Sequence, residues 1–192
     1  DLPPGIPYAW PPRSVLKKQG LAPTEENQKR FVKGWQYKDA DGKVIGYVVR
    51  YEGHGKKDTI PFFRTFPSGG WCSGHSTKTA RPLYGRHLLA QFPTALVLVV
   101  EGEKCANSVN KLNPGETGIV AVSWPGGAKV VKKADWQPLN GRDVIVWPDW
   151  DWVGLKAAID VQNSVEAWLG VCDPQKISIE PPSEGWDVAD YL

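Results

Sequence analysis

The chain has 192 residues, enough for one domain with a hydrophobic core or for a domain with a smaller appendage. A hydrophobic fraction of 41% excludes a disordered chain, and a net charge of +2 neither indicates nor excludes a polyanionic partner, which would need a local basic patch. Three widely spaced cysteines argue against a zinc ribbon, and we interpret them as reduced thiols of a cytosolic protein. The longest apolar run, residues 95–100, is far shorter than the roughly 18 residues of a membrane span.

The first part of the chain is rich in proline and then in β-forming residues. Prolines predict an extended arm or linker over residues 1–30, since they prevent long helices. The start has neither an initiator Met nor the pattern of a signal peptide, so we interpret the chain as a fragment of a longer protein. Residues 31–82 predict a small antiparallel β-rich subdomain. We expect its strands at residues 35–38, 44–51 and 59–66. Pro61 indicates that the third of these strands lies near an edge.

From residue 83 onward, apolar strands alternate with helical segments. We predict strands at residues 96–100, 118–123, 143–147 and 176–179. We predict helices at residues 83–92, 103–112 and 154–169, with a further helical segment at 132–136. Alternating strands and helices predict an α/β domain over residues 83–192, with a mostly parallel four-stranded sheet flanked by helices.

Acidic residues follow three of these predicted strands. Glu101 comes after the first, Asp149 and Asp151 follow the third, and Asp187 and Asp190 lie in the loop after the fourth. Because the carboxyl ends of parallel strands meet at one edge of a sheet, we expect a carboxylate cluster there. Such groups repel one another unless a cation neutralises them, and oxygen ligands suit Mg²⁺ or Mn²⁺.

A glycine loop and a basic run lie between the second and third predicted strands of this domain. Gly126 and Gly127 allow a close approach of the backbone to a phosphate. The basic run that follows comprises Lys129, Lys132, Lys133 and Arg142. It predicts contact with a nucleic-acid backbone, and a solvated surface is the alternative. The chain also has ten tryptophans, which either stack on bases or pack the core.

Three segments resemble motifs of the Toprim domain, which occurs in bacterial primases, topoisomerases and related nucleases. Leu98-Val-Val-Glu-Gly-Glu-Lys-Cys-Ala106 resembles its first motif, and Val146-Trp-Pro-Asp-Trp-Asp-Trp-Val-Gly154 resembles its Asp-x-Asp motif. Gly185-Trp-Asp-Val-Ala-Asp-Tyr-Leu192 is similar to the ending of primase members. The Glu-Gly-Glu-Lys sequence resembles the primase-like proteins of phages, plasmids and integrated elements. With Arg81-Pro-Leu-Tyr84 and the aromatic strands before it, the resemblance extends over residues 30–192.

This resemblance implies roles for individual residues. Glu101 would be the general acid/base of phosphoryl transfer and a metal ligand. Asp149 and Asp151 would bind Mg²⁺ or Mn²⁺, and Asp187 would be a further ligand. Lys104 would lie beside the site and contact phosphate.

The implied function is that of a DNA primase-type nucleotidyltransferase, with metal-dependent primer synthesis on single-stranded DNA during replication of a phage, plasmid or integrated element. Its partners would be the template, nucleotides, and a helicase domain or other primase domains of the full-length protein. No membrane is expected, and the setting would be the cytoplasm of a bacterial or phage-infected cell. Two alternatives stay open, namely a Toprim nuclease or strand-breaking enzyme, and a non-catalytic nucleic-acid-binding module.

Overall fold

The chain forms two compact units, and the computed structural model describes residues 2–65, 69–75, 79–166, 168–172 and 183–192. The first unit comprises Asp1–Gln36 and Val44–Ser76, and the second comprises Tyr37–Lys43 and Thr77–Leu192. The domain boundaries that we infer from sequence, after residues 30 and 82, stay predictions. Among the described residues, no helix has the length and apolar character needed to cross a membrane.

The first unit is a five-stranded sheet with its strands in chain order. These strands are β1 (Ala9–Trp10), β2 (Lys29–Lys38), β3 (Val44–Gly53), β4 (Lys56–Arg64) and β5 (Trp71–Ser73). The pairs β1–β2, β3–β4 and β4–β5 are antiparallel. Tyr47, Val49 and Tyr51 alternate along β3 and pack on one face of the sheet, as the two-residue period of a strand requires.

Two proline-containing segments of this unit can be compared with the predictions from sequence. The proline-rich start, for which an arm or linker is predicted, carries β1 and the short helix α1 (Arg13–Lys18), and it buries Leu2, Ile6 and Leu16. Pro61 lies in β4, one strand in from the edge strand β5. Because β5 pairs only from Phe62 to Arg64, the missing N–H of Pro61 falls where that ladder has ended.

The second unit contains the predicted four-stranded parallel sheet, so the fold class inferred from sequence is confirmed. Its strands are β6 (Leu96–Glu101), β7 (Ile119–Trp124), β8 (Asp143–Trp147) and β9 (Trp168–Val171), in the order β7-β6-β8-β9. All three pairings are parallel. Val97 and Val99 of β6 pack in one core cluster and Leu98 and Val100 in another, because helices cover both faces.

Helices and 3₁₀ turns connect these strands. The helices are α2 (Arg86–Gln91), α3 (Gly102–Asn110), α4 (Pro114–Thr117), α5 (Trp152–Gln162) and α6 (Val188–Tyr191). Two 3₁₀ helices lie between β7 and β8, at Ala128–Lys133 and Gln137–Leu139. Of the helical segment predicted at residues 132–136, only Lys132 and Lys133 are helical, as the end of the first 3₁₀ helix, and Ala134 instead forms a β-bridge with Arg81. The helix predicted from residue 83 begins at Arg86, because Tyr84 instead exchanges backbone hydrogen bonds of 2.9 and 3.3 Å with Ser123.

The prediction for the end of the sheet was wrong in one respect. The helix predicted over residues 154–169 ends at Gln162, and Trp168–Val171 is the fourth strand. Apolar residues at 165 and 169 fit helical spacing, but pairing with β8 satisfies the backbone of this segment and completes the sheet. The strand predicted at residues 176–179 lies outside the described residues.

Candidate metal centre

Carboxylates gather at the carboxyl ends of β6 and β8, which are neighbouring strands. Glu101 is the last residue of β6, and Asp149 and Asp151 lie between β8 and α5. Asp187 is the N-cap of α6 and, together with Glu101 and Asp151, acts electrostatically on Asp149. The structure therefore brings together four of the site residues predicted from sequence.

Crowding changes the acidity of these groups. Burial, followed by repulsion from Glu101, Asp187 and Asp151, raises the pKa of Asp149 to about 7, although Lys104 opposes the shift. Burial also raises the pKa of Glu101, with a smaller contribution from Asp151, while a hydrogen bond from the Ala128 N–H acts in the opposite direction. Charged forms of both groups are thus disfavoured, mainly by burial and additionally by the neighbouring carboxylates.

Cys105 is a site residue that the sequence analysis missed. One ligand atom each of Cys105, Asp149 and Asp187 lie within 4.8 Å of one another. Cys105 is buried, and burial followed by the charge and hydrogen bond of Asp187 raises the pKa of its thiol. Its position four residues after Glu101, one turn along α3, is the signal that could have placed it at the site.

The donor set fits a hard divalent cation through its carboxylates. Asp149 and Asp187 supply oxygens that converge, and repulsion at Asp149 is the strain that a cation would relieve. A protonated thiol is a poor ligand for Mg²⁺, so Cys105 borders the site rather than completing it.

Helix α5 fixes the Asp-x-Asp segment. Asp151 is the N-cap of α5, and its Oδ1 accepts a hydrogen bond of 2.6 Å from the Gly154 N–H. Gly154 lies directly against the backbone of Asp149, where a Cβ would meet the Asp149 carbonyl oxygen and come within 3.0 Å of its nitrogen. Only glycine allows this close approach.

We expect Gly154→Ala to destabilise the protein by about 1–3 kcal/mol, since its methyl group must displace the backbone of Asp149. Denaturation in urea measures this change. A suitable control is Gly115→Ala in α4, where an added Cβ meets no atom closer than 3.4 Å. Equal stability of the two variants would contradict the requirement for glycine at residue 154.

The end of the chain is attached to the same segment. The Trp150 N–H donates to the Trp186 carbonyl (2.8 Å), and the Gly185 N–H donates to the Trp150 carbonyl (3.0 Å). The ring of Trp147 packs on Trp186 and Tyr191, with centroids 6.0 and 5.7 Å away. These contacts give Trp147 and Trp186 a packing role and hold α6 at the carboxylates.

Asp187 and Lys104 form an ion pair at this end of the site. Asp187 Oδ1 caps α6 by accepting from the Ala189 and Asp190 N–H groups, and Oδ2 lies 3.3 Å from Lys104 Nζ. Asp190 lies 3.8 Å from the same Nζ. Burial lowers the pKa of Lys104, but attraction to Asp187 and Asp190 outweighs burial, so the pKa is raised overall. Lys104 therefore balances the charge of Asp187.

The glycine loop contacts Glu101 directly. After Gly126 and Gly127, the Ala128 N–H donates a hydrogen bond of 3.1 Å to Glu101 Oε1. The basic run that follows is only in part as predicted. Lys129, Lys132 and Lys133 are exposed, with Lys132 Nζ 3.4 Å from Asp160 of α5. Arg142 is separate from them, because its guanidinium is bound by the carbonyl oxygens of Leu89, Phe92, Pro93 and Pro138.

Without a divalent cation, we expect the free energy of unfolding to fall as the pH rises from about 4 to about 7. Folded Asp149, with a pKa of about 7, keeps its proton over this range, whereas unfolded Asp149, with its ordinary value of 3.8, loses it. The folded state therefore binds more protons, and deprotonation favours unfolding. Urea denaturation in EDTA at several pH values measures the slope, which should be smaller for Asp149→Asn. Identical slopes would contradict the burial of a protonated Asp149.

The fold of the chain is that of primase domains in solved structures. The primase fragment of the bacteriophage T7 primase-helicase aligns with a TM-score of 0.55 and 19% identity, over 85% of this chain and 60% of that one. A chain in the structure of the T7 lagging-strand DNA polymerase interacting with primase domains aligns with a TM-score of 0.53 and 19% identity, over 91% of this chain and 77% of that one. A DNA primase domain from Pseudomonas aeruginosa aligns with a TM-score of 0.53 and 19% identity, over 83% of this chain and 45% of that one.

Sequence comparison gives the family. The chain belongs to the family described as "Domain of unknown function (DUF6371)", whose model matches residues 22–150. No curated protein sequence matches the chain.

Proposed function

We propose that this chain is the Toprim core of a DNA primase-type nucleotidyltransferase, which makes primers on single-stranded DNA in replication of a phage, plasmid or integrated element. The observation that carries the proposal is the crowding of four carboxylates at the ends of β6 and β8, which contributes to raising the pKa of Asp149 to about 7. Like charges that are partly buried together indicate a site for a cation. The strand-end position is where α/β sheets bind their ligands.

Each of the four clustered carboxylates has a part in this reaction. Asp149, Asp151 and Asp187 would hold Mg²⁺ or Mn²⁺, which, when bound, neutralises the phosphates of a nucleotide. Glu101 accepts the proton of the attacking 3′-hydroxyl, since a raised pKa suits a general base. Its hydrogen bond from the Ala128 N–H fixes the carboxylate in one orientation.

Phosphate groups would be bound on the same rim by backbone and cationic groups. Gly126 is exposed, and Gly127 lies close to Glu101, where a Cβ would come within 3.8 Å of Oε1. Lys129 and Lys133 are exposed and have no ion pair among the described residues, so they offer charge to a nucleic-acid backbone. Lys104, half-exposed beside Asp187, would reach a phosphate that approaches this carboxylate.

The proposed partners are single-stranded DNA, nucleotides, and a helicase domain or further primase domains. One neighbouring structure contains primase domains bound to an RNA/DNA hybrid and dTTP, and another comes from a primase-helicase. Because the chain spans 60% and 45% of two of its neighbours, further domains are part of the proposal. The cytoplasm of a bacterial or phage-infected cell stays the predicted setting.

A gel assay tests the proposal. The chain is incubated with end-labelled single-stranded DNA, labelled nucleotides and Mg²⁺ or Mn²⁺, beside samples with EDTA and with Asp149→Asn. Extended or newly made strands that disappear in both controls are the expected result. Shortened strands would favour the Toprim nuclease. Strand binding without any product would favour the non-catalytic module.

A further inference from the structure

Trp152 differs from the other tryptophans whose side chains the structure describes. It is 80% exposed, whereas Trp124 and Trp136 are buried and Trp147 and Trp186 pack against each other. An indole in water loses the large favourable free energy that its burial would provide. Trp152 is the first residue of α5 and follows Asp151 directly, so its backbone adjoins the carboxylate centre.

Trp152 begins a row of side chains along α5. Residues four and seven apart share one side of a helix, so Lys156 and Ile159, both exposed, lie on the same side of α5 as Trp152. Asp160 is turned further round the helix and pairs with Lys132 of the first 3₁₀ helix, with a nitrogen–oxygen distance of 3.4 Å. The row therefore places Lys156 about 6 Å along the helix axis from Trp152.

The 3₁₀ helix and α5 both start at the carboxylates. The Ala128 N–H at the start of the 3₁₀ helix donates to Glu101, and Asp151 caps α5. The two elements then pack side by side, as the Lys132–Asp160 pair also shows. One surface thus leads away from the centre, with Lys129 and Lys132 on one side and Trp152 and Lys156 on the other.

We propose that this surface binds a single strand of nucleic acid, with one base stacked on Trp152 and the adjoining phosphates beside Lys156 and Lys129. This inference rests on the proposed function and adds to it the path that the strand takes across the protein. A base can cover an exposed indole only if it is free of its own stacking partners, which favours a single strand over a duplex. Lys129 and Lys156 are exposed and have no ion pair among the described residues, so an anionic strand would supply the counter-charge that an apolar protein segment would not.

Fluorescence anisotropy of a labelled oligothymidylate tests this inference in EDTA, where no chemistry occurs. Trp152→Ala in the 192-residue chain should weaken binding about tenfold, and Trp152→Phe should retain most of the affinity. An abasic oligomer of equal length is the second probe. Wild type should bind the abasic strand more weakly than the base-bearing one, and Trp152→Ala should cause no further loss.

Leu112→Ala is the matched control, because Leu112 is 47% exposed just after α3, at the end of that helix opposite Glu101. It should bind both strands like wild type. Unchanged binding of oligothymidylate by Trp152→Ala overturns the inference, as does an equal loss for both strands or a wild-type chain that binds neither. Strand binding that depends on Trp152 without primer synthesis would support the inference and contradict the proposed function. Primer synthesis together with strand binding that does not depend on Trp152 would support the proposed function and contradict the inference.

Discussion

We expect the replacement of Asp149 and Asp151 together by asparagine to abolish Mg²⁺ binding and to leave the fold intact. Two of the four clustered charges are removed, and the neutral amide oxygens that replace them attract a hard cation far less. We expect the affinity for Mg²⁺ or Mn²⁺ to fall by more than about 100-fold, since even changes beside a metal's direct ligands cost about 10–100-fold. Titration calorimetry on the metal-free chain measures this loss.

The asparagines should preserve the local structure of this segment. Asp151 Oδ1 accepts from the Gly154 N–H, and asparagine is an equally good N-cap. In EDTA the double variant should unfold at the same urea concentration as wild type or a higher one, because repulsion at Asp149 is removed. Asp143→Asn, an exposed position at the other end of β8, should bind metal normally. Normal binding by the double variant would contradict the ligand assignment.

Sequence could predict this site because its residues are defined by strand ends. Glu101, Asp149 and Asp151 each follow a short apolar run, and the alternation of strands with helices implies a parallel sheet. Parallel strands end at one edge, so their positions along the chain determine that they meet. Asp187 was placed by its resemblance to a motif and by its position after the strand predicted at residues 176–179, which lies outside the described residues. Its cap on α6 shows why an aspartate suits that position.

Contacts that depend on distant segments could not be predicted in this way. The Tyr37 hydroxyl donates a hydrogen bond of 2.5 Å to buried Glu103, and the pair is separated by 66 residues. The local spacing of residues in the sequence does not indicate such a partner. Similarly, apolar residues at 165 and 169 fit helical spacing, so the sequence predicted a helix where β9 lies. The pairing of β9 with β8 depends on the whole sheet and not on local periodicity.

The tryptophans show the same limit for side chains. Their number alone is compatible with base stacking or with core packing. Trp147 and Trp152 flank the same Asp-x-Asp segment, yet the first packs on Trp186 and Tyr191 and the second is 80% exposed. The difference follows from the end of β8 and the start of α5, whose positions the sequence gives only approximately.

Glu101→Gln should retain metal binding and lose primer synthesis by about 10²–10⁴-fold, the usual contribution of a general base. Glutamine has the same shape and its oxygen can still accept from the Ala128 N–H, so the loop beside it keeps its position. It cannot accept the proton of a 3′-hydroxyl. The rate of product formation at saturating nucleotide and Mg²⁺, with calorimetry on the same variant, separates chemistry from binding.

Glu103→Gln is the matched control for this substitution. Glu103 lies two residues further on, but its carboxylate accepts from the Tyr37 hydroxyl inside the protein, and a glutamine oxygen can do the same. This variant should synthesise primers at nearly the wild-type rate. Loss of synthesis in both variants would indicate that the start of α3 had been disturbed and that the Glu101 result reports packing. Full synthesis by Glu101→Gln would remove Glu101 from the chemistry and leave the three aspartates as a metal site without a base.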